Sequence, residues 1–397
     1  MSVTPSATVP NSDAPGSTAA GIFLCVLGPI FFLIQPLYVG TLTDQLGFDP
    51  QQVGWISGAE FGGTVVVSIA GFFLIHRLNW RLVIAAALTV QAIGNFASGY
   101  FTSFTELLIL RLTTATFGMA PLYIVAIAIL SNTSRVSRNF SLVVFGQMLL
   151  AIASLALLPD FIPHHGLATL FVPFACLGLI ALPLLYLVPE GAKGRTGAPQ
   201  PTRPEDSNAT TSIVPAAGVL VVQVIWYAGI GGVWAFIERV GVAGGLAAGD
   251  VADALAVGMG VGLIGALSAG YLTERLGRIP PFLTGMLFQV VAIAILLNTV
   301  TPGSFLLSVC IYNFMWNLCL PPLFDLIVAT DPKNRFSVLL PTFQSLGIII
   351  GSVVGGTLVK NFGLPALLAA GIGLTLLSLA IYILIARQYE RPAAQAT

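Results

Sequence analysis

Twelve apolar stretches, the first at 20–43 and the last at 363–386, succeed one another along this chain with short polar breaks between them. Each is long enough to cross a bilayer core, which takes about 20 helical residues. Lipid offers the backbone no hydrogen-bond partners, so spans of this length must be helices, and the ten-residue alternation of an outer-membrane barrel is absent. Composition agrees: 56% of residues are hydrophobic and 8% are charged, against roughly 25% charged in a soluble domain. The expected fold class is an all-α membrane protein with twelve transmembrane helices.

Basic residues resist translocation and so report orientation. Arg77, Arg81, Arg135, Arg138, Lys193, Arg195, Arg203, Arg275, Arg278, Lys333, Arg335, Arg387 and Arg391, thirteen of the sixteen, fall in even-numbered loops or the C-terminal tail. Both termini are therefore expected to be cytoplasmic, in the inner membrane of a bacterium. The opposite loops hold Asp44, Asp49, Glu106, Asp160, Asp250 and Asp253, so a net charge of zero conceals a split between faces. Cys25, Cys176, Cys310 and Cys319 all lie inside apolar spans, where a thiol behaves as a small apolar group, and no disulfide framework or metal spacing is present.

The longest polar interior segment, 189–212, is rich in Pro, Gly and charge and divides six spans from six. It reads as a cytoplasmic linker. The domains expected are a disordered tail at 1–19, a six-helix bundle at 20–188, the linker, a second bundle at 213–387, and a tail at 388–397. Two patterns recur between the halves at nearly one offset. Gly71 ends the second span before Arg77 and Arg81, as Gly270 ends the eighth before Arg275 and Arg278; Arg138 precedes Gln147 as Arg335 precedes Gln344. A duplicated six-helix unit, giving two pseudo-symmetric bundles, accounts for both.

The stretch GYLTERLGR, with Gly270, Leu272, Glu274, Arg275, Gly277 and Arg278, resembles the loop signature of the major facilitator superfamily, G-x-L-a-[DE]-r-x-G-r. The first-half copy from Gly71 has Ile75 in place of the acid and Leu78 in place of the second glycine. In span four, RLTTATFGMAP is similar to the family's R-x-x-q-G-x-g pattern at Arg111 alone. The helix-five antiporter run G-x-x-x-G-P is missing. The resemblance implies secondary transport by two rocking bundles around a central site, with helices one, four, seven and ten lining it. It also implies a latch between the cytoplasmic ends, formed here by Glu274, Arg275, Arg278, Asp325 and Arg335 with Gly270 and Gly277 shaping the loop.

An ionisable side chain in hydrocarbon costs about 3 kcal/mol, so each one within a span needs a partner or water. Glu60 and Arg111 lie at similar depths, about 13 and 10 Å from the same face at 1.5 Å per residue. They are expected to pair or share a water cavity, either as a structural lock or as a proton-coupling site. Polar and aromatic residues at helical spacing supply candidate solute contacts: Gln35, Tyr38, Tyr123, Gln147, Gln223, Trp226, Tyr227, Trp234, Asn313, Trp316, Asn317 and Gln344. Gln35–Pro36 and Pro321–Pro322 are expected to break helices, while the glycine runs from Gly351 and Val257 are expected to serve close helix packing.

An ATP-driven pump would need a P-loop, and none occurs. His76, His164 and His165 lack zinc-site spacing, so no metal, cofactor or catalytic constellation is expected. The reading is a monomeric secondary transporter in a lipid bilayer that carries a small organic solute, amphipathic or aromatic, with a carboxylate met by Arg111 as one form. Proton coupling through Glu60 is expected, with uniport as the fallback and no nucleic-acid partner. The alternatives are a non-transporting receptor or sensor on the same scaffold and a proton-driven drug effluxer.

Overall fold

The computed structural model describes residues 12–74, 77–191, 214–331 and 339–389, and the regular elements among them are all helical. The disordered-tail expectation for 1–11, Ile75, His76, the linker residues 192–212, Lys333, Arg335 and the last residues from 390 lie outside the described residues.

The first half comprises α1 (Pro15–Leu27), α2 (Ile30–Leu33), α3 (Gln35–Leu46), α4 (Pro50–Leu74), α5 (Trp80–Ser98), α6 (Phe104–Thr114), α7 (Ala120–Ser131), α8 (Val136–His165) and α9 (Leu167–Ala181). In the second half are α10 (Val214–Ala243), α11 (Ala248–Leu276), α12 (Ile279–Leu296), α13 (Pro302–Thr330), α14 (Leu340–Phe362) and α15 (Leu364–Ala386). Helices α1 to α3 form the first span and α6 with α7 the fourth, giving twelve spans, six in each half. The first helix begins at Pro15, ahead of the boundary expected at 20, because Pro at the first helical position needs no N–H partner.

Span one is broken twice. Gly28 and Pro29 interrupt it first, and α3 restarts at Gln35 with Pro36 at its beginning, as the Gln35–Pro36 pair suggested. The second expected break is absent: α13 continues through Pro321 and Pro322. There the Tyr382 hydroxyl donates to the Pro322 carbonyl at 3.2 Å, and packing against α11 and α12 holds the helix on course. Span four carries a π-helical turn at Ala115–Met119, one turn beyond Arg111.

Packing follows the duplication. In the first half α5 lies on α9 and α1 on α8; in the second α12 lies on α15 and α10 on α14. Across the halves α4 meets α14, and α8 meets α11, which is the same pairing under exchange of the halves. The α4–α14 crossing is tight because glycines face each other. A Cβ on Gly54 would collide with the Ser352 carbonyl, and one on Gly356 with the Pro50 carbonyl. In α11, Gly258 and Gly265 likewise admit the backbone and side chains of α13.

Among the described residues, the inter-half hydrogen bonds gather toward one end, that of Asp44. Arg239 donates to both oxygens of Asp44 at 2.6 and 2.9 Å, and Lys360 donates to Asp49 at 2.9 Å and Gln51 at 3.1 Å. Deeper in, Gln35 Nε2 donates to Ser352 Oγ at 3.0 Å and Trp234 Nε1 to the Phe32 carbonyl at 2.9 Å. At the opposite end, that of Arg278, the ion pairs among the described residues stay within one half: Arg278 with Asp325 at 3.0 Å in the second and Arg81 with Glu190 at 3.2 Å in the first.

Candidate functional site

Two interior sites emerge from this packing, one charged and one not. The charged site is built where α3, α4, α5 and α6 converge. Glu60 and Arg111 are buried, and the guanidinium grips the carboxylate with two prongs: Nε donates to Oε1, and Nη2 donates to Oε2 at 2.8 Å. The remaining Nη1 donates to Asn95 Oδ1 at 2.7 Å and Ser98 Oγ at 3.2 Å, and the Tyr38 hydroxyl donates to Glu60 Oε1 at 3.2 Å. Phe31 and Phe171 lie on the guanidinium, with ring centroids 4.6 and 4.8 Å from its carbon. Desolvation thus strengthens each contact while making an unpaired member costly. The depths read from the sequence bring the two charges together, whereas Asn95, Ser98, Phe31 and Phe171 carried no signal that set them apart from ordinary packing residues.

The uncharged site is a cavity of about 160 Å³ between the halves. Its polar walls are Tyr123, Gln147, Tyr227, Asn313, Trp316, Asn317 and Gln344, all expected, together with Trp234. Apolar walls come from Pro29, Phe32, Leu33, Val144, Met148, Met259 and Leu320. These were missed because an apolar residue in an apolar span is the default. The aromatic wall is braced internally: Trp316 Nε1 faces the Tyr227 hydroxyl at 3.4 Å, and the Trp234 ring stacks on Tyr312 at 6.3 Å.

Several expected solute contacts stand elsewhere. Gln35 is engaged by Ser352, and Tyr38 belongs to the charged site. Trp226 Nε1 donates to Gln289 Oε1 at 2.9 Å inside the second half, and Gln223 is fully buried away from the cavity lining. Arg111 is also outside that lining, so a solute carboxylate in the cavity would meet no arginine among the described residues. Gln147 lines the cavity and at the same time donates to the Cys25 carbonyl at 3.0 Å.

The expected latch at the Arg278 end is not closed between the halves among the described residues. Glu274 is exposed and forms no ion pair with them, Arg275 lies over its own helix neighbour Tyr271 at 4.6 Å, and Arg278 is held by Asp325. Gly277 adopts φ +78°, which suits the turn that ends α11, and Gly270 has open space around its Cα. The first-half loop is used differently: Arg81 donates to the Val188 carbonyl at 2.6 Å and pairs with Glu190 at 3.2 Å, tying down the start of the linker.

Twelve spans in two matched halves, closed at one end around an interior cavity, define a multi-pass membrane transporter rather than an enzyme. The family profile of the Major Facilitator Superfamily matches residues 20–339, and the chain belongs to that family. Solved structures of similar fold include a D-xylose-proton symporter (TM-score 0.73, 16% identity, covering 96% of this chain and 99% of that one). Another is a point mutant of the nucleoside transporter NupG (0.71, 14%, 94% and 99%). A third is the xylose transporter XylE from E. coli in a partially occluded inward-open conformation (0.71, 16%, 93% and 98%). No curated protein sequence gives a significant match.

Proposed function

We propose that this protein moves a small, uncharged, ring-containing solute across the bacterial inner membrane, as a monomer with both termini in the cytoplasm, and couples that movement to protons through Glu60. The observation that carries the reading is the cavity itself: amides and aromatic rings line it, and among the described residues no charged side chain does. Amide groups offer donors and acceptors at no charge penalty, and aromatic faces favour planar or amphipathic rings. A cavity of about 150 Å³ is enough for a benzene-sized ring, and the volume here is about 160 Å³. The similar structures include transporters whose named cargoes, nucleosides and xylose, are uncharged, which agrees with such a lining.

With the Asp44 end closed, the positive-inside pattern makes the present conformation one that faces the cytoplasm. Rocking of the halves about the cavity would present the solute to the other side. Protonation of Glu60 removes the charge that Arg111 grips, so proton occupancy and bundle geometry become linked.

The test is uptake into proteoliposomes under an imposed pH gradient, with neutral nucleosides, pentoses and aromatic alcohols compared against their carboxylate analogues. Neutral solutes should be accumulated, Gln147→Ala should weaken uptake on the order of tenfold through loss of a hydrogen-bonding partner in the cavity wall, and Glu60→Gln should make uptake indifferent to the gradient. Preference for carboxylates would overturn the cavity reading. Gradient-indifferent uptake by the unaltered protein would remove proton coupling alone.

A further inference from the structure

The two interior sites share a wall. Pro29 and Phe32 line the solute cavity on one side and the pocket around Glu60 and Arg111 on the other. Phe32 belongs to α2, four residues long and isolated between the breaks at Gly28–Pro29 and Ile34. Such a segment has a single turn of helical hydrogen bonds, from Phe32 and Leu33 to Pro29 and from Ile34 to Ile30, to hold it in place.

What else holds it comes from its neighbours. The Phe32 ring meets Phe61 edge-on at 5.5 Å, next in sequence to Glu60, and meets Trp316 edge-on at 5.4 Å, on the cavity side. Its carbonyl accepts from Trp234 Nε1 at 2.9 Å, a hydrogen bond from the opposite half. Trp234 and Trp316 are themselves packed together at 6.1 Å and both line the solute cavity. A chain of contacts therefore runs from solute wall to partition to Phe61, which lines the Glu60 pocket, and its anchor crosses the plane on which the halves must slide.

Behind the partition lies a void of about 10 Å³, bordered by Glu60, Gln91, Asn95, Arg111 and Thr114. That is near the lower limit for a single water. Gln91 Oε1 and Asn95 Nδ2, both buried, have no hydrogen-bond partner among the described residues, so an acceptor and a donor stand ready beside the ion pair. Two unpartnered polar atoms at a void of water size suit a water better than an empty space.

We propose that Phe32, held by Trp234 of the opposite half, is the partition that separates a hydrated Glu60–Arg111 pocket from the solute cavity, and that it opens when rocking of the halves breaks the Trp234 hydrogen bond. This rests on the proton-coupling reading above for its purpose, but not for its test. A sealed partition keeps the carboxylate from exchanging protons with the cavity while the halves are closed at the Asp44 end, as here. An open one joins Glu60 to the water of the cavity. Phe32 acts through position alone and touches no reacting atom of Glu60 in this conformation.

The test measures water access without needing the solute. In the full-length chain with its four native cysteines replaced, Gln91→Cys places a thiol behind the partition and Gln147→Cys places one in the cavity. Their rates of modification by 2-aminoethyl methanethiosulfonate are compared. The Gln147→Cys thiol should react quickly and the Gln91→Cys thiol slowly. Adding Phe32→Ala should raise the Gln91→Cys rate about tenfold or more, the ratio expected if a closed state gives way to an open one. Trp234→Phe, which removes the N–H donor and part of the indole while keeping an aromatic ring, should raise it as well. Phe32→Leu serves where Phe32→Ala does not fold, with size-exclusion behaviour as the criterion. Unchanged Gln91→Cys rates in these variants, or an equal rise at Gln147→Cys, would overturn the partition. Failure of proton coupling would show separately, as gradient-indifferent flux in the unaltered protein.

Discussion

Arg111 is the largest charged side chain that the fold buries completely, and the manner of its burial sets the consequence of changing its partner. Four donated hydrogen bonds and two aromatic faces replace the water it lost. Replacing Glu60 by Gln leaves that cation with a neutral partner in a low-dielectric site, and breaking a buried pair in this way costs about 3 kcal/mol or more. Replacing both charges removes the orphan. Glu60→Gln should therefore lower the melting temperature in detergent clearly, and Glu60→Gln combined with Arg111→Met should recover most of the loss. A double variant no more stable than the single one would mean that the pair is not a closed electrostatic unit. That Glu60 and Arg111 would either pair or share a water cavity was legible beforehand, because helical rise is fixed and a lone charge in lipid is costly; which of the two was not. Asn95 and Phe171 were not legible. Spans apolar on every side do not reveal their azimuth, and an amide or a ring in such a span has many acceptable neighbours.

At the level of helices, the joint between the halves is the α4–α14 crossing, where Gly54 and Gly356 allow backbone to meet backbone. Because the obstacle to a side chain there is backbone rather than a flexible tip, relief must come from separating the helices. Gly54→Val should push the Asp44 end apart and favour the conformation open on that side, read as faster labelling of a cysteine introduced at Ser352. Equal labelling with and without Gly54→Val would show that the crossing does not set the closed state. The glycine run from Gly351 announced close packing, but the partner of each glycine was hidden: Gly351 faces α10, while Gly356 faces α4. Proline misled in one place and informed in another. It removes a single donor, and whether the helix then breaks depends on what surrounds it, which is why α13 runs through Pro321–Pro322 while the first span is interrupted just ahead of Gln35–Pro36. The π turn after Arg111 adds one residue to a helical turn and leaves no compositional mark.

For the whole molecule, the balance between its two faces depends on contacts made at one end and released at the other. At the Asp44 end, Arg239 reaches Asp44, and Lys360 reaches Asp49. Asp49 also caps α4: its Oδ1 accepts from the Gln52 N–H at 2.9 Å, and its own N–H donates back to Gln52 Oε1 at 3.1 Å, a reciprocal capping box. Partial burial alone would raise the Asp49 carboxyl, but these backbone donors and the Lys360 ammonium outweigh it and hold it below the ordinary value of 3.8. A depressed carboxyl contributes its stabilisation above the unfolded value and loses it as pH falls through the folded one. The bridge should therefore be indifferent to pH across the neutral range and fail only below about pH 4. Exposed pairs are each worth about 0.5 kcal/mol, so losing both should shift the balance toward opening of this end by about fivefold. Spin labels at Gln45 and Ala248, in the cysteine-free chain in nanodiscs, read that balance as a distance distribution. Asp44→Asn with Asp49→Asn should enlarge the long-distance population at pH 7, and acidification should add less to that variant than to the unaltered chain. If the distribution moves with neither the double variant nor the acid, closure of this end belongs to the glycine crossing and the charges only decorate it.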